Sequence, residues 1–279
     1  MVAVARSKAP LEALQSQYPK QVRFVAGDLA DFSLGQKAVD LAIKEYGQLD
    51  GLVVNHGILE PVTRVGDSDA EEWRKNFDVN FFSAVAIVRG SCWVGGQLDE
   101  RCEIDGWQVK SALPKLRETK GRIVLTSSGA ATAAYSTWGA YGSSKAALNH
   151  LALTLSVEEP DVTTVSIRPG VVDTEMQRQL REVHHKAMEK GDADRFFTLH
   201  VDGKLLKPEQ PGNVMARLVL DAPKEISGRF ITYVLGVEAM LHGMSANVGI
   251  DGTIMTNWPR FRTSEALGRP ILCEWDCIL

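Results

Sequence analysis

The stretch GRIVLTSSGAATAAYSTWGAYGSSK, at residues 121–145, decides the fold and the centre of the predicted site. It opens with a β-branched apolar run, which predicts a strand buried on both faces, and it ends inside a predicted helix. Tyr141 and Lys145 are four residues apart on that helix, so their side chains share one face. Ser128 directly follows the strand and is therefore expected at the carboxyl edge of the sheet.

A tyrosine with a neighbouring ammonium and hydroxyl is suited to acid/base chemistry. The charge of Lys145 favours the phenolate, so we expect the pKa of Tyr141 to fall from about 10 towards the working range of an acid/base catalyst. The Ser128 hydroxyl can hydrogen-bond the oxygen of a substrate carbonyl. A Tyr-x-x-x-Lys pair alone is also typical of a solvated helix face, and only the serine at a strand end favours the catalytic interpretation.

The rest of the chain alternates short apolar runs with helical patterns. Strands are predicted at 2–5, 21–26, 51–55, 121–127, 162–168 and 228–234, and helices near 10–17, 33–46, 70–89, 136–158 and 209–221. Parallel strands need crossover connections, which right-handed βαβ units supply. The predicted fold is therefore α/β, with a doubly wound, Rossmann-like parallel sheet that binds its ligands at the carboxyl ends of the strands.

Two stretches lack a regular hydrophobic period. Residues 90–110 are rich in Gly, Cys and Trp, and residues 234–279 show no readable pattern. We interpret the chain as one domain at 1–233 with an insertion at 90–110, followed by an atypical tail at 234–279. Both stretches are expected to be loops or material foreign to the fold.

The composition argues against several classes of function. The net charge of −4 gives no basic excess for nucleic-acid binding. No apolar run reaches the roughly 18 residues that a membrane span needs, and the amino-terminal residues do not resemble a signal peptide, so a cytoplasmic location is expected. The four cysteines do not have the spacing of a metal site, and no metal is expected.

Ser128, Tyr141 and Lys145 resemble the catalytic residues of the short-chain dehydrogenases/reductases. In that family the tyrosine exchanges a proton with the substrate oxygen and the serine orients that oxygen. The lysine lowers the pKa of the tyrosine and holds the nicotinamide ribose. Asn80, in FDVNFFS, is similar to the family's catalytic asparagine, which supports a proton-relay water. The resemblance therefore implies these four catalytic residues.

Three further motifs follow the family's order. NHGI at 55–58 is similar to its Asn-Asn-Ala-Gly motif, from which His56 departs, while Asp28 in AGDLAD matches an adenine-contacting aspartate. PGVVDT at 169–174 is similar to its Pro-Gly segment, in which Thr174 would bind the nicotinamide carboxamide. The implied cofactor site consists of Arg6, Ser7, Asp28, Leu29, Asn55, Gly57, Tyr141, Lys145, Pro169, Gly170, Val172 and Thr174.

The resemblance runs from residue 1 to about residue 233 and is interrupted at 90–110. It is strongest to the fungal benzil reductase and sepiapterin-reductase-like branch. The family's glycine-rich turn does not occur before residue 28, so the resemblance implies that the first strand, the glycine turn and the first helix are lacking. That strand would lie in the middle of the sheet, and its absence would leave buried backbone groups unpaired.

Arg6 bears on the choice of cofactor. It follows the second strand of the family pattern, where an acidic residue would bind the adenosine 2′-hydroxyl of NAD. A guanidinium there suits the 2′-phosphate of NADP, although an exposed arginine at a strand end is the plainer alternative. The expected cofactor is NADP(H).

The resemblance therefore implies an NADP(H)-dependent reductase that converts a small-molecule ketone or diketone to an alcohol by hydride transfer. We expect a homodimer formed through helices 70–89 and 136–158, with residues 175–205 covering the substrate. Two alternatives stay open. The chain could be a catalytically impaired form that acts only as a binding or dimerising module. A nucleotide-sugar epimerase is the second, and the short span after Pro169 argues against it.

Overall fold

The computed structural model describes residues 1–89 and 112–233, and outside these ranges only the backbone of six short strands. Those strands pair as antiparallel hairpins, Trp93–Val94 with Gln97–Leu98, Glu103–Ile104 with Trp107–Gln108, and Ala246–Val248 with Ile254–Thr256. The predicted insertion at 90–110 and the predicted tail at 234–279 otherwise lie outside the described residues. Their assignment stays a prediction.

The two described ranges form a regular alternation of strands and helices. In chain order they are β1 (Val2–Ala5), α1 (Lys8–Gln17), β2 (Arg23–Ala26), α2 (Ser33–Tyr46), β3 (Gly51–Val54), α3 (Ala70–Phe77), α4 (Ser83–Arg89), α5 (Ala112–Thr119), β4 (Arg122–Thr126), α6 (Gly139–Glu158), β5 (Thr163–Arg168), α7 (Glu175–Glu182), α8 (Lys190–Val201), α9 (Glu209–Asp221) and β6 (Phe230–Thr232). A single π-helical turn, Asp78–Phe82, joins α3 to α4. None of the described helices is long and apolar enough to cross a membrane.

All the pairings among β1–β6 are parallel, which confirms the α/β class. Four strands form one sheet in the order β6-β5-β4-β3, and among these six strands β1 pairs only with β2. Within the described ranges no strand hydrogen-bonds to both β1 and β3. The division of the sheet thus falls where the sequence predicts the absent strand, and that absence itself stays a prediction.

Helices cover both faces of the four-stranded sheet because side chains of a strand alternate between its faces. Ile123 and Leu125 of β4 belong to one fully buried cluster, which draws on α2, α4, α5 and α6. Val124, between them, belongs to a second cluster with β5 and α9. The sheet is therefore doubly wound, as predicted, and its central strands are apolar on both faces.

This topology brings the chemistry-bearing segments to one edge. Strands β3, β4 and β5 run in the same direction, so the residues that follow them, Asn55, Ser127 and Pro169, meet at the carboxyl edge of the sheet. Ligand sites of open α/β sheets form at this edge.

The second cluster offers a matched test of the core on a single helix. Leu218 of α9 is 2% exposed, whereas Leu220 on the same helix is 39% exposed. We expect Leu218→Ala to lower the free energy of unfolding by about 2–5 kcal/mol, because it leaves a cavity against β4 and β5. Leu220→Ala should cost less than about 1 kcal/mol. Urea denaturation measures both, and equal losses would show that α9 does not pack as described.

Candidate active site

A cavity of about 160 Å³ lies at the carboxyl edge. It brings together most of the predicted site residues, namely Asn55, Gly57, Ser128, Tyr141, Lys145, Pro169, Gly170, Val172 and Thr174. Asn80 does not line the cavity but lies directly behind Gly57. The remaining predicted residues, Arg6, Ser7, Asp28 and Leu29, follow strands β1 and β2 and do not line it.

Lys145 is the buried cation of the site. It is 3% exposed, and its Nζ donates a hydrogen bond of 2.9 Å to the carbonyl oxygen of Thr126, the last residue of β4. Burial lowers the pKa of Lys145 from its ordinary 10.5 to about 8. Its Nζ lies 5.9 Å from the centre of the Tyr141 ring, one helical turn away.

Tyr141 departs from the prediction made for its pKa. Burial raises the pKa of the Tyr141 phenol above 10, and a hydrogen bond with the Ser128 side chain opposes this rise. The predicted fall, attributed to Lys145, is therefore wrong. The reason is that desolvation of a fully enclosed phenol outweighs the pull of its polar neighbours. The phenol consequently keeps its proton at neutral pH.

Ser128 stands where the sequence places it, at the end of β4. Ser128 has an extended backbone and is the N-cap of a short 3-10 turn, Gly129–Ala131. Its Oγ makes the capping contact, accepting a hydrogen bond of 3.2 Å from the Ala130 amide. The same side chain reaches the Tyr141 phenol. The hydroxyl and the phenol thus converge on one point in the cavity, which is the arrangement needed to hold a carbonyl oxygen.

Both polar atoms of the Asn80 side chain are hydrogen-bonded within the protein. Its Oδ1 accepts from the Ile58 amide at 2.8 Å, and its Nδ2 donates to the Ile58 carbonyl at 2.9 Å and to Ser144 Oγ at 3.1 Å. Ser144 in turn donates to the Tyr141 carbonyl at 2.8 Å. The side chain therefore ties the segment after β3 to helix α6, so Asn80 acts as a positioning residue. The proton-relay role implied by the resemblance stays a prediction.

Asn76, which the sequence analysis did not single out, completes this network. It is 0% exposed, its Oδ1 accepts from Asn80 Nδ2 at 3.1 Å, and its Nδ2 donates to the Glu60 carbonyl at 2.6 Å. The two asparagines are four residues apart, on either side of the junction between α3 and the π-helical turn. Such turns often mark functional sites. The i, i+4 spacing of the two asparagines could have indicated from the sequence that their side chains lie together.

Asn55 and Gly57 fit a bound nicotinamide nucleotide. Asn55 Oδ1 accepts from Thr126 Oγ1 at 2.8 Å, while its buried Nδ2 has no partner among the described residues. A Cβ at Gly57 would lie only 3.1 Å from both Asn80 Oδ1 and Lys145 Nζ. The absence of a side chain there leaves the lysine accessible to a ligand, and the Asn55 Nδ2 group can donate a hydrogen bond to an acceptor on that ligand.

His56, the departure from the family motif, faces away from this chemistry. Its Nε2 lies 2.6 Å from Ser83 Oγ, which is itself 2.6 Å from the Val79 carbonyl. Burial, assisted by the charge of Lys145, lowers the pKa of His56 to about 4. The imidazole is therefore neutral at neutral pH and links the segment after β3 to α4.

The Pro-Gly segment forms the other side of the cavity. Gly170 has a φ of +90°, and a Cβ there would meet Leu206 at 2.6 Å, so this turn requires glycine. Thr174 caps α7, because its Oγ1 accepts from the Gln177 amide at 3.4 Å. Its predicted contact with a nicotinamide carboxamide stays a prediction.

Arg6, Ser7 and Asp28 lie at the carboxyl ends of β1 and β2. All three are exposed, and the paired registers of the two strands place Arg6 beside Gly27 and Asp28. Asp28 Oδ1 accepts from the Ala30 amide at 2.9 Å, which fixes the turn. Arg6 has no ion-pair partner in the described part of the chain, so its guanidinium is free to meet a phosphate.

An aromatic wall, formed by Tyr135, Trp138 and Phe196, was not predicted. The centre of the Trp138 ring lies 4.8 Å from the centre of the Tyr135 ring and 5.5 Å from that of the Phe196 ring. The rings of Trp138 and Phe196 are stacked. It also meets the Tyr141 ring edge-on at 5.8 Å. Phe196 comes from α8, within the predicted cover at 175–205. The wall provides an apolar, flat surface beside the reacting groups.

The buried ammonium makes stability depend on pH. Folded Lys145 releases its proton near pH 8, whereas the unfolded chain keeps it until about pH 10.5, so between these values the unfolded state binds more protons. The free energy of unfolding should therefore rise with pH in this window. Relative to Lys145→Met, in which the lysine titration is absent, we expect a rise of about 2 kcal/mol from pH 8 to pH 10. Denaturant titrations at each pH measure it, and a constant difference would contradict the burial of this charge.

Known proteins similar to this chain are oxidoreductases. A family model described as short chain dehydrogenase matches residues 1–92 and 107–185. An uncharacterized oxidoreductase of Schizosaccharomyces pombe is 39% identical over 235 residues, which cover 84% of this chain and 86% of the relative. The (S)-benzoin-forming benzil reductase of Saccharomyces cerevisiae is 38% identical over 242 residues, covering 82% and 84%.

Solved structures agree with these matches. A short chain dehydrogenase/reductase of Saccharomyces cerevisiae has a TM-score of 0.73 at 38% identity, covering 83% of this chain and 84% of that one. A second Saccharomyces cerevisiae structure, described as a cytoplasmic protein with unknown function, has a TM-score of 0.63 at 37% identity and covers 83% and 84%. The fold, the motifs and these relatives lead to one conclusion: the chain belongs to the short-chain dehydrogenase/reductase family of oxidoreductases.

Proposed function

We propose that the chain is an NADP(H)-dependent carbonyl reductase that converts a ketone or diketone of a small molecule to an alcohol. The observation that carries the proposal is the enclosed, protonated phenol of Tyr141, which shares a cavity with the Ser128 hydroxyl and the Lys145 ammonium. The similarity to a benzil reductase over most of the chain supports a ketone or diketone as substrate.

Bound NADPH would supply the hydride that reduces the carbonyl carbon. The protein's part is to bind the carbonyl and to supply the proton. The Ser128 hydroxyl holds the carbonyl oxygen, and Tyr141 donates its phenolic proton to that oxygen as charge develops on it. The raised pKa of Tyr141 suits this direction of reaction, because the acid is in its protonated form at neutral pH.

Lys145 completes the proton-donating group. As Tyr141 gives up its proton, negative charge forms on a ring whose centre lies 5.9 Å from Lys145 Nζ, and the ammonium stabilises this charge. Because Gly57 has no side chain, a bound nicotinamide nucleotide would have access to the lysine there. Asn76 and Asn80 act as positioning residues, because they hold the segment after β3 against helix α6.

The cofactor is NADP(H) rather than NAD(H) in this proposal. Arg6 is exposed at the end of β1, next to the turn that carries Asp28, and has no ion pair within the described ranges. A guanidinium so placed can bind the 2′-phosphate of the adenosine with two or more hydrogen bonds.

We further propose a cytoplasmic homodimer. One relative of solved structure is described as cytoplasmic. Phe82 in the turn before α4, together with Leu153 and Val157 on α6, are large apolar side chains with 45%, 52% and 78% exposure. Pairing of these two faces between copies would cover this apolar surface.

Replacement of Tyr141 tests the proton donor. Tyr141→Phe should lower kcat for NADPH-linked reduction of benzil by about 10²–10⁴-fold, because it removes only the acid. Tyr46→Phe is the matched control, since the Tyr46 hydroxyl bonds the backbone of Met1 and Gln21 outside the cavity. Tryptophan fluorescence should show saturable NADPH binding in both variants. Near-normal turnover by Tyr141→Phe refutes the assignment, and no NADPH signal from the parent chain supports the impaired-module alternative.

Charge reversal at Arg6 tests the choice of cofactor. Arg6→Asp should lower the ratio of kcat/KM for NADPH to that for NADH by about 10–100-fold, since the contacts with the 2′-phosphate are replaced by repulsion. Lys20→Asp changes the net charge equally but lies at the amino end of β2, away from the predicted phosphate site. It should leave the ratio unchanged. A ratio that does not distinguish the two variants would remove Arg6 from the cofactor site.

A further inference from the structure

The charged side chains that line the cavity are all cations. They are Lys145, Arg168 and Arg195, and none of the aspartates or glutamates in the described ranges lines it. The Lys145 ammonium donates a hydrogen bond to the Thr126 carbonyl, whereas the Arg168 guanidinium has no hydrogen-bond or ion-pair partner in that part of the chain. A cleft lined by one sign of charge attracts ligands of the other sign. The cavity therefore favours an anionic ligand, and Arg168 and Arg195 are the two cations that the proposed proton transfer leaves unused.

Arg195 is the cation best placed to receive such a group. It projects from α8, and its Nη1 donates a hydrogen bond of 3.1 Å to the phenolic oxygen of Tyr135. A guanidinium carries five N–H donors, so most of them remain without a partner among the described residues. The contact with Tyr135 places the guanidinium of the exposed Arg195 at one end of the aromatic wall, while Tyr141 meets the wall at Trp138.

Trp138 gives a second, independent indication. The residue is 8% exposed, and its buried Nε1–H has no acceptor in the described ranges. A buried donor without a partner is costly, and such groups usually meet an acceptor on a ligand or a water. The wall thus combines flat aromatic surface with unused donors, which complements an aromatic molecule rich in acceptor oxygens.

We infer that the cavity selects aryl ketones that bear a carboxylate at the end remote from the ketone. The ketone lies at Ser128 and Tyr141, the ring lies along the wall at Trp138, and the carboxylate binds Arg195. The inference rests on the proposed carbonyl reductase function and adds Arg195 as its specificity-determining residue. A carboxylate and a guanidinium form paired, charge-assisted hydrogen bonds, so the negative charge is specifically recognised.

A pair of ketones that differ only in charge tests the inference. With saturating NADPH, kcat/KM is measured for 4-acetylbenzoate and for methyl 4-acetylbenzoate, with benzil as a neutral reference. We expect the parent chain to prefer the acid by at least about tenfold, and Arg195→Gln to lower that preference about tenfold or more, towards equal use of acid and ester, mainly through KM. Arg195→Lys should restore part of it. Lys186→Gln removes an exposed cation near α8 that does not line the cavity, and it should keep the full preference.

Several outcomes would overturn the inference without touching the proposed function. The first is turnover of benzil with no preference for the acid, and the second is a preference for the acid that survives in Arg195→Gln. The third is an Arg195→Gln variant whose KM for NADPH rises while its preference for the acid is unchanged. If none of the three ketones is reduced, the proposed function fails. Calorimetric binding of the two probes in the presence of NADPH then decides the inference alone, since tighter binding of the acid supports it and equal binding refutes it.

Discussion

The burial of the Lys145 ammonium against the carbonyl of Thr126 is the contact on which the site depends. A buried ammonium must be hydrogen-bonded, and the bond of 2.9 Å joins helix α6 to the end of strand β4. The cost of this burial is visible in the lowered pKa of the lysine. Because Tyr141 lies one turn earlier on the same helix, the bond also sets where its phenol stands relative to Ser128.

The segment after β3 is held by complementary amide groups. Asn80 presents both its acceptor and its donor to the backbone of Ile58, and Asn76 accepts a hydrogen bond from Asn80 and donates one to the Glu60 carbonyl. Removing either partner would leave buried groups unsatisfied, so the network rigidifies the site as a unit. This rigidity holds Gly57 at a position where a Cβ would lie only 3.1 Å from Lys145 Nζ, so the missing side chain keeps the lysine accessible.

Sequence reasoning was reliable where a local pattern determines geometry. The strand before Ser128 and the helix carrying Tyr141 follow from hydrophobicity, and parallel topology then places their ends together. The pKa of Tyr141 was predicted wrongly because its enclosure depends on packing across the cavity. The aromatic wall escaped prediction for the same reason, since Phe196 reaches Trp138 from a distant helix. Residues 175–205 were expected to cover the substrate. Which of their side chains reach the cavity depends on how α8 packs, and the sequence pattern does not give that packing.

We propose a carbonyl reductase because one cavity combines an acid, a hydroxyl and residues that fit a nicotinamide cofactor. Transfer of the hydride itself is the most direct test. The parent chain is incubated with benzil and NADPH deuterated at both positions of nicotinamide C4, and the product is analysed by mass spectrometry. We expect benzoin with one deuterium on the carbinol carbon. Benzoin without deuterium, or no benzoin from a chain that binds NADPH, would contradict the account.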